Sequence, residues 1–154
     1  MPTTSHCEFR NSALAGAIGV TDLLAAATDL GGLYLWELGS AIRLVDNRSL
    51  APSRVTALAW ANADVSLLVG DELGGIAAFF RVRLRDDDPE PSLVRAHVYE
   101  KQSAAVVDLV PSVRDKSFLA VGRDGSLRLL HRQVVGKRDD EIQRPVQRVQ
   151  AIEV

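Results

Sequence analysis

The chain has 154 residues, 47% of them apolar and 25% charged, and its 18 Lys+Arg against 20 Asp+Glu give a net charge of −2. Those proportions describe a globular chain able to bury a sizeable core in one domain, exclude a collagen-like or disordered class, and leave no cationic excess to draw it onto nucleic acid phosphates. Cys7 is the only cysteine, which excludes an internal disulfide framework and any multi-cysteine zinc or iron-sulfur site.

In chain order, the segment 1–22 carries no assignable element. Its first ten residues lack both a cationic n-region and a continuous apolar h-region, so they do not read as a signal peptide. The weakly polar stretch from Ala13 to Ala27 is broken by Thr21 and Asp22 and falls short of the roughly 20 apolar residues a membrane span needs. No transmembrane helix is expected, and taken as a whole gene product the chain is expected in the cytoplasm.

A short apolar run from Leu23 to Ala27 follows, then Leu30-Gly31-Gly32-Leu33-Tyr34-Leu35-Trp36, then a further run from Ala41 to Val45. The polar connection Asp46 to Arg54 reads as a loop, since Asp, Asn, Pro and Ser favour turns. The second set comprises Val55 to Trp60, Ser66 to Gly70, the phrase Leu73-Gly74-Gly75-Ile76-Ala77-Ala78-Phe79, a loop from Arg85 to Pro91, and Leu93 to Tyr99. The third comprises Ala105 to Val110, Ser117 to Val121, and Asp124-Gly125-Ser126-Leu127-Arg128-Leu129-Leu130. Beyond Gly136 the tail is highly charged through Arg144, Pro145 breaks it, and Val146, Val149, Ile152 and Val154 make a weak terminal strand.

These sets are copies of one another. A shift of 51 residues places Val55-Thr-Ala-Leu58 on Val106-Val-Asp-Leu109, Asp64 on Asp115, Ser66 on Ser117, Leu68 on Leu119 and Gly74 on Gly125. A shift of 43 places Leu24, Gly31 and Gly32 on Leu67, Gly74 and Gly75. A fixed period of this length indicates a repeat architecture. Two apolar runs flanking a turn with Gly at one fixed place read as a β-hairpin, because Gly supplies positive φ without steric cost. Gly31, Gly32, Gly74, Gly75, Asp124 and Gly125 are thus the turn residues that define the repeat. With the flanking runs, each unit is about four strands.

A unit of this size resembles a blade of a β-propeller, and Asp124 to Leu129 is similar to the hairpin of WD40 repeats. Where WD40 proteins often continue with Trp-Asp, this chain has Trp36-Glu37, Phe79-Phe80 and Leu130-His131. Over Val55 to His131 the chain also resembles the extramembrane region of bacterial phosphate ABC transporter permeases of the Pst type. That likeness rests on Ser66-Leu-Leu-Val-Gly-Asp71, Phe79-Phe80-Arg81-Val82-Arg83, Leu93-Val-Arg-Ala-His97, Ala104 to Ser112, Lys116-Ser117-Phe118 and Asp124 to Leu129. It implies a non-enzymatic, periplasm-facing segment of an inner-membrane protein, with other transporter components as partners.

The expected fold is all-β: about three four-stranded antiparallel blades (about 23–50, 51–100 and 101–136) in an incomplete ring. Rings usually need four to eight blades, so open ends should make the chain alone marginal in stability, oligomeric, or dependent on polypeptide that completes it. The architectural alternative is a small closed barrel or sandwich. The functional alternatives are a soluble WD40-type scaffold for protein partners and, third, a small enzyme on a β fold.

Little chemistry is encoded. Phosphate-cradling glycine spacings and Gly-x-Ser-x-Gly are absent, and no catalytic, cofactor or metal residue is nominated. Adjacent His6 and Cys7 fall short of the three or four ligands a metal site needs. His97 and His131 follow strand-like runs and read as structural. Asp86-Asp87-Asp88-Pro89-Glu90 lacks the spacing of a calcium loop and reads as a solvated loop. Asp108 stands where the second unit has Ala57, as a solvent-facing or inter-strand group. Arg81, Arg83 and Arg85 alternate with Val82 and Leu84, which puts three guanidinium groups on one strand face, either simply solvated or contacting an anion or acidic partner.

Overall fold

The structure, a computed structural model, describes residues 13–19, 22–50, 52–61, 65–131 and 150–151. The regular elements among them are β-strands: β1 (Ala13–Ile18), β2 (Leu23–Thr28), β3 (Gly32–Leu38), β4 (Ile42–Ser49), β5 (Val55–Ala61), β6 (Ser66–Asp71), β7 (Ile76–Val82), β8 (Ser92–Val98), β9 (Val106–Pro111), β10 (Ser117–Gly122), β11 (Leu127–His131) and β12 (Gln150–Ala151). They form three four-stranded antiparallel sheets, β1-β2-β3-β4, β5-β6-β7-β8 and β12-β11-β10-β9, in which sequence neighbours pair throughout. These are blades 1, 2 and 3. Among the described residues no sheet closes on itself, so the small barrel is not adopted: the chain makes three separate four-stranded sheets.

The turn between the second and third strands of each blade is the same structure three times. Gly31, Gly74 and Gly125 have φ of 78°, 86° and 82°, and their N–H groups donate to the carbonyls of Thr28, Asp71 and Gly122 at 3.1, 3.2 and 3.0 Å. A turn closed three residues on, with its last residue left-handed, is a standard way to fit a short hairpin loop to the twist of its strands. Side chains reinforce it. Gly32 N–H donates to Thr28 Oγ1 at 3.1 Å, Gly75 N–H donates to Asp71 Oδ1 at 2.7 Å, and Ser126 N–H donates to Asp124 Oδ1 at 3.0 Å.

Packing follows from which faces are apolar. In blade 2 the run Ser66 to Gly70 is buried at every position, which a strand shows only when both faces of its sheet are covered. One face belongs to a cluster with Leu23, Ala25, Ala27, Leu33 and Leu35 of blade 1, to which blade 2 gives Val55, Leu58, Leu67, Val69 and Phe79. The other face puts Ala57, Ala59, Leu68, Ile76 and Ala78 against Val106, Leu109, Phe118, Ala120 and Leu130 of blade 3. The sheets come close at Gly70, where an added Cβ would stand 2.5 Å from Val106 Cγ1. The shift of 51 extends to single hydrogen bonds: Glu72 N–H donates to the Arg54 carbonyl at 2.9 Å and Arg123 N–H to the Ala105 carbonyl at 2.8 Å.

Three features depart from the sequence pattern. A strand, β1, lies inside the 1–22 segment for which the pattern provides no element. Asp46 to Ser49 is strand and not loop, because a register shift opposite Leu35/Trp36 lets β4 continue pairing down to Gly32. The Asp46 carboxylate also accepts the Leu93 N–H of blade 2 at 2.5 Å, a partner across blades that offsets the poor strand propensity of this polar stretch. Third, β7 ends at Val82, so of the arginine row only Arg81 lies on a strand. In the tail, β12 pairs with β11 through Arg128↔Ala151 and Leu129↔Gln150; Val146, Val149, Ile152 and Val154 lie outside the described residues, as do His6 and Cys7.

Gly74 and Gly125 share a backbone conformation but differ in surroundings. A Cβ at Gly74 would run into the backbone carbonyls of Gln102 and Ala104, whereas at Gly125 it would meet nothing within 4 Å. Gly125→Ala is therefore expected to cost the left-handed penalty alone, about 1–2 kcal/mol, and Gly74→Ala clearly more. Urea unfolding of both variants checks this, and equal losses would contradict the close approach at Gly74.

Candidate interaction surface

The strand directions sort the surface into two ends. The β2–β3, β6–β7 and β10–β11 turns share one end with the connections from each blade to the next. They are tied together there: the Gly31 carbonyl accepts the Leu50 N–H at 2.7 Å, and the Gly74 carbonyl accepts the Gln102 N–H at 3.0 Å. Ser103 Oγ adds a hydrogen bond to Asp124 Oδ2 at 3.2 Å. Gln102 is only 6% exposed, and both polar atoms of its side chain lack a hydrogen-bond partner.

On this pinned backbone Leu30 and Leu73 stand out, 71% and 53% exposed. They occupy the same turn position in blades 1 and 2, immediately before the left-handed glycine. Blade 3 has Asp124 there, and its carboxylate accepts the Ser126 hydroxyl at 2.6 Å. That bond, then the Ser126 N–H, holds the Asp124 carboxyl below the usual carboxylate range. The polar version of the turn thus makes its own bonds, while the leucine version presents apolar side chains to water. The turn glycines flag this end from sequence, but the leucines escape sequence reasoning because they read as the start of the next apolar run; their only signal is recurrence at one turn position.

The arginine row lies at the opposite end. Arg81 is partly buried at the end of β7, and Arg83 and Arg85 are exposed in the connection that follows. Arg85 N–H donates to Asp88 Oδ2 at 2.9 Å, so the acidic stretch folds back onto the basic one. Arg43 of β4 donates through Nη1 to Glu90 Oε1 at 2.7 Å and through Nη2 to Glu37 Oε2 at 2.6 Å. The Arg43 hydrogen bond, with the nearby charges of Arg81 and Arg83, lowers the Glu90 pKa. The local field is mixed, and the three guanidinium groups do not share one strand face.

The remaining polar residues are dispersed. His97 is in the fourth strand of blade 2 with its ring edge-on to Tyr99 at 4.4 Å, while His131 ends the third strand of blade 3; their positions in the repeat differ. Asp108 is exposed, and its carboxylate accepts the N–H of Leu109 at 2.8 Å. Among the described residues, no three His, Cys, Asp or Glu converge as metal ligands.

Neither a family model nor a curated protein matches the chain. Solved structures do, and they are WD40 β-propellers. A "Crystal Structure of Mitotic Checkpoint Complex" is 13% identical over 80% of this chain and 35% of that one, with a TM-score of 0.60. Sqt1 of Saccharomyces cerevisiae is 14% identical over 79% and 32%, with a TM-score of 0.63. The β-propeller domain of Cps50 (Swd1) from Myceliophteria thermophila is 18% identical over 79% and 38%, again at 0.63. The chain thus spans about a third of the length of the structures it matches, and shares with them the stacked blades of a propeller.

The Asp124 turn makes a pH-dependent contribution. Its folded pKa lies below the ordinary value of 3.8, so the stabilisation is fully present above that value and is lost as pH falls through the depressed folded one. Thermal unfolding should place the wild type above Asp124→Asn at pH 6, with the gap closing below pH 3; a gap that persists in acid would contradict the assignment.

Proposed function

We propose that this chain is a β-propeller interaction scaffold that binds a protein partner through the end of the blades carrying Leu30 and Leu73. One observation carries the reading: two leucines, 71% and 53% exposed, at equivalent tips of turns whose backbone is already satisfied. Neither helps its turn, since the same turn forms in blade 3 with Asp124. Rigid, solvent-facing apolar side chains are what a binding surface needs, because little conformational entropy is lost when they are covered. Propellers host many unrelated functions, so the reading is made on this surface and not on the fold.

Binding without catalysis fits the dispersal of His97, His131 and Asp108. The permease reading rests on the quoted residues between Val55 and His131 and gains no support from the comparisons. No helix among the described residues is long and apolar enough to cross a membrane.

The test is to capture partners from the native host on the immobilised chain and to measure the affinity of the purified partner for wild type and for the double variant Leu30→Asp/Leu73→Asp. Buried apolar anchors carry most of an interface's energy, so an affinity loss of about tenfold or more is expected, with unchanged far-UV circular dichroism. A partner bound equally well by both forms would overturn the placement of the surface.

A further inference from the structure

Leu30, Leu73 and Asp124 are one position of the repeat seen three times, at intervals of 43 and 51 residues. Each immediately precedes the left-handed glycine of its turn, and each is exposed. The three tips therefore form a row along the blade stack, apolar at the first two places and acidic at the third. Stacked sheets lie about 10 Å apart, which sets the step of the row. The turns also share a sign of charge: residues 28–32, 71–75 and 122–126 together hold Asp29, Asp71, Glu72 and Asp124 against Arg123 alone.

The backbone of the tips disfavours an extended occupant. The N–H groups of Gly31 and Gly74 are spent within their turns, and the carbonyls of both accept from Leu50 and Gln102 of the connections. The Leu73 N–H donates to Asp71 Oδ1 at 2.9 Å. An extended segment would bring its own N–H and C=O groups to a surface that returns no bonds. An α-helix satisfies its backbone internally, and seven residues, close to two turns, carry one face of it forward by about 10.5 Å, one step of the row.

We propose that the protein partner meets this end with a basic amphipathic helix laid across the three turns. Apolar side chains seven residues apart cover Leu30 and Leu73, and a Lys or Arg seven residues further on meets the Asp124 carboxylate. The inference rests on the partner surface proposed at Leu30 and Leu73 and names what that surface takes. Asp124 is held for the contact by hydrogen bonds from Ser126 Oγ at 2.6 Å and Ser103 Oγ at 3.2 Å, so little freedom is lost when a cation pairs with it. Glu72, exposed beside Leu73, offers a second acid to basic residues that flank the apolar stripe.

The probe is a synthetic helix of about 20 residues in an alanine and glutamine host, with two leucines seven residues apart and a lysine seven residues beyond the second. It is titrated into the isotope-labelled chain while backbone amide shifts are followed by NMR. Gly31, Gly74 and Gly125 should move together in one saturable titration. Replacing the lysine of the probe by glutamate should weaken binding about threefold or more, the scale of an exposed ion pair turned into a repulsion. Bringing the two leucines to a spacing of five, which puts them on different sides of the helix, should abolish the shared shifts, as should Leu30→Asp/Leu73→Asp in the chain. No shift at the turn glycines, or binding that ignores the lysine or the leucine spacing, would overturn this inference. The surface itself is judged separately, by the affinity of the host partner for Leu30→Asp/Leu73→Asp.

Discussion

An antiparallel sheet with two apolar faces is stable in water only in the middle of a stack, and blade 2 is such a sheet. Leu67, Val69 and Phe79 point one way and Leu68, Ile76 and Ala78 the other, each at most 5% exposed. Covering both faces requires a sheet on either side, and the chain provides them by copying itself. The burial favours the arrangement, at roughly 25 cal/mol for each Å² of apolar surface removed from water. The turns decide its register: a hairpin shifted by one residue would exchange the two faces, and a left-handed glycine at one fixed place in each blade prevents that.

The parts legible in the sequence are those where a backbone constraint permits few residue types. Positive φ before the third strand demands glycine or a close substitute, so Gly31, Gly74 and Gly125 betray the repeat at once. The continuous apolar run of β6 was readable for the same reason that it is buried. Elsewhere the determining contacts are remote in sequence. Ala13–Ile18 is mostly small residues with weak strand preference, and it forms β1 by pairing with β2. Asp46 to Ser49 has the composition of a turn and becomes strand through a register shift and the bond from Leu93. The alternating arginines imitate an amphipathic strand, but β7 stops at Val82, and the acidic stretch that follows turns back to meet them.

The proposed binding surface was harder to read than the fold, because its signal is an exposure and not a motif. Leu30 and Leu73 are unremarkable as letters; they matter because the turn places them in water while Asp124 shows that the same turn can be made with a polar residue. The repeat separates structural from functional positions without any relative to compare. A position that is buried in every blade belongs to the stack, and one that is apolar but exposed in some blades is available for something else. By that standard the turn tips at Leu30 and Leu73 are available.

The blades stack face to face, with Val106 of blade 3 seated over Gly70 of blade 2 where no side chain intervenes. Proton NMR tests it most directly through the nuclear Overhauser effect between the Val106 methyl groups and the Gly70 α protons. A strong cross-peak is expected, since a Cβ at Gly70 would stand 2.5 Å from Val106 Cγ1. Absence of that peak in a folded sample, with the Gly70 α protons correlated only to their own sheet, would contradict the stack.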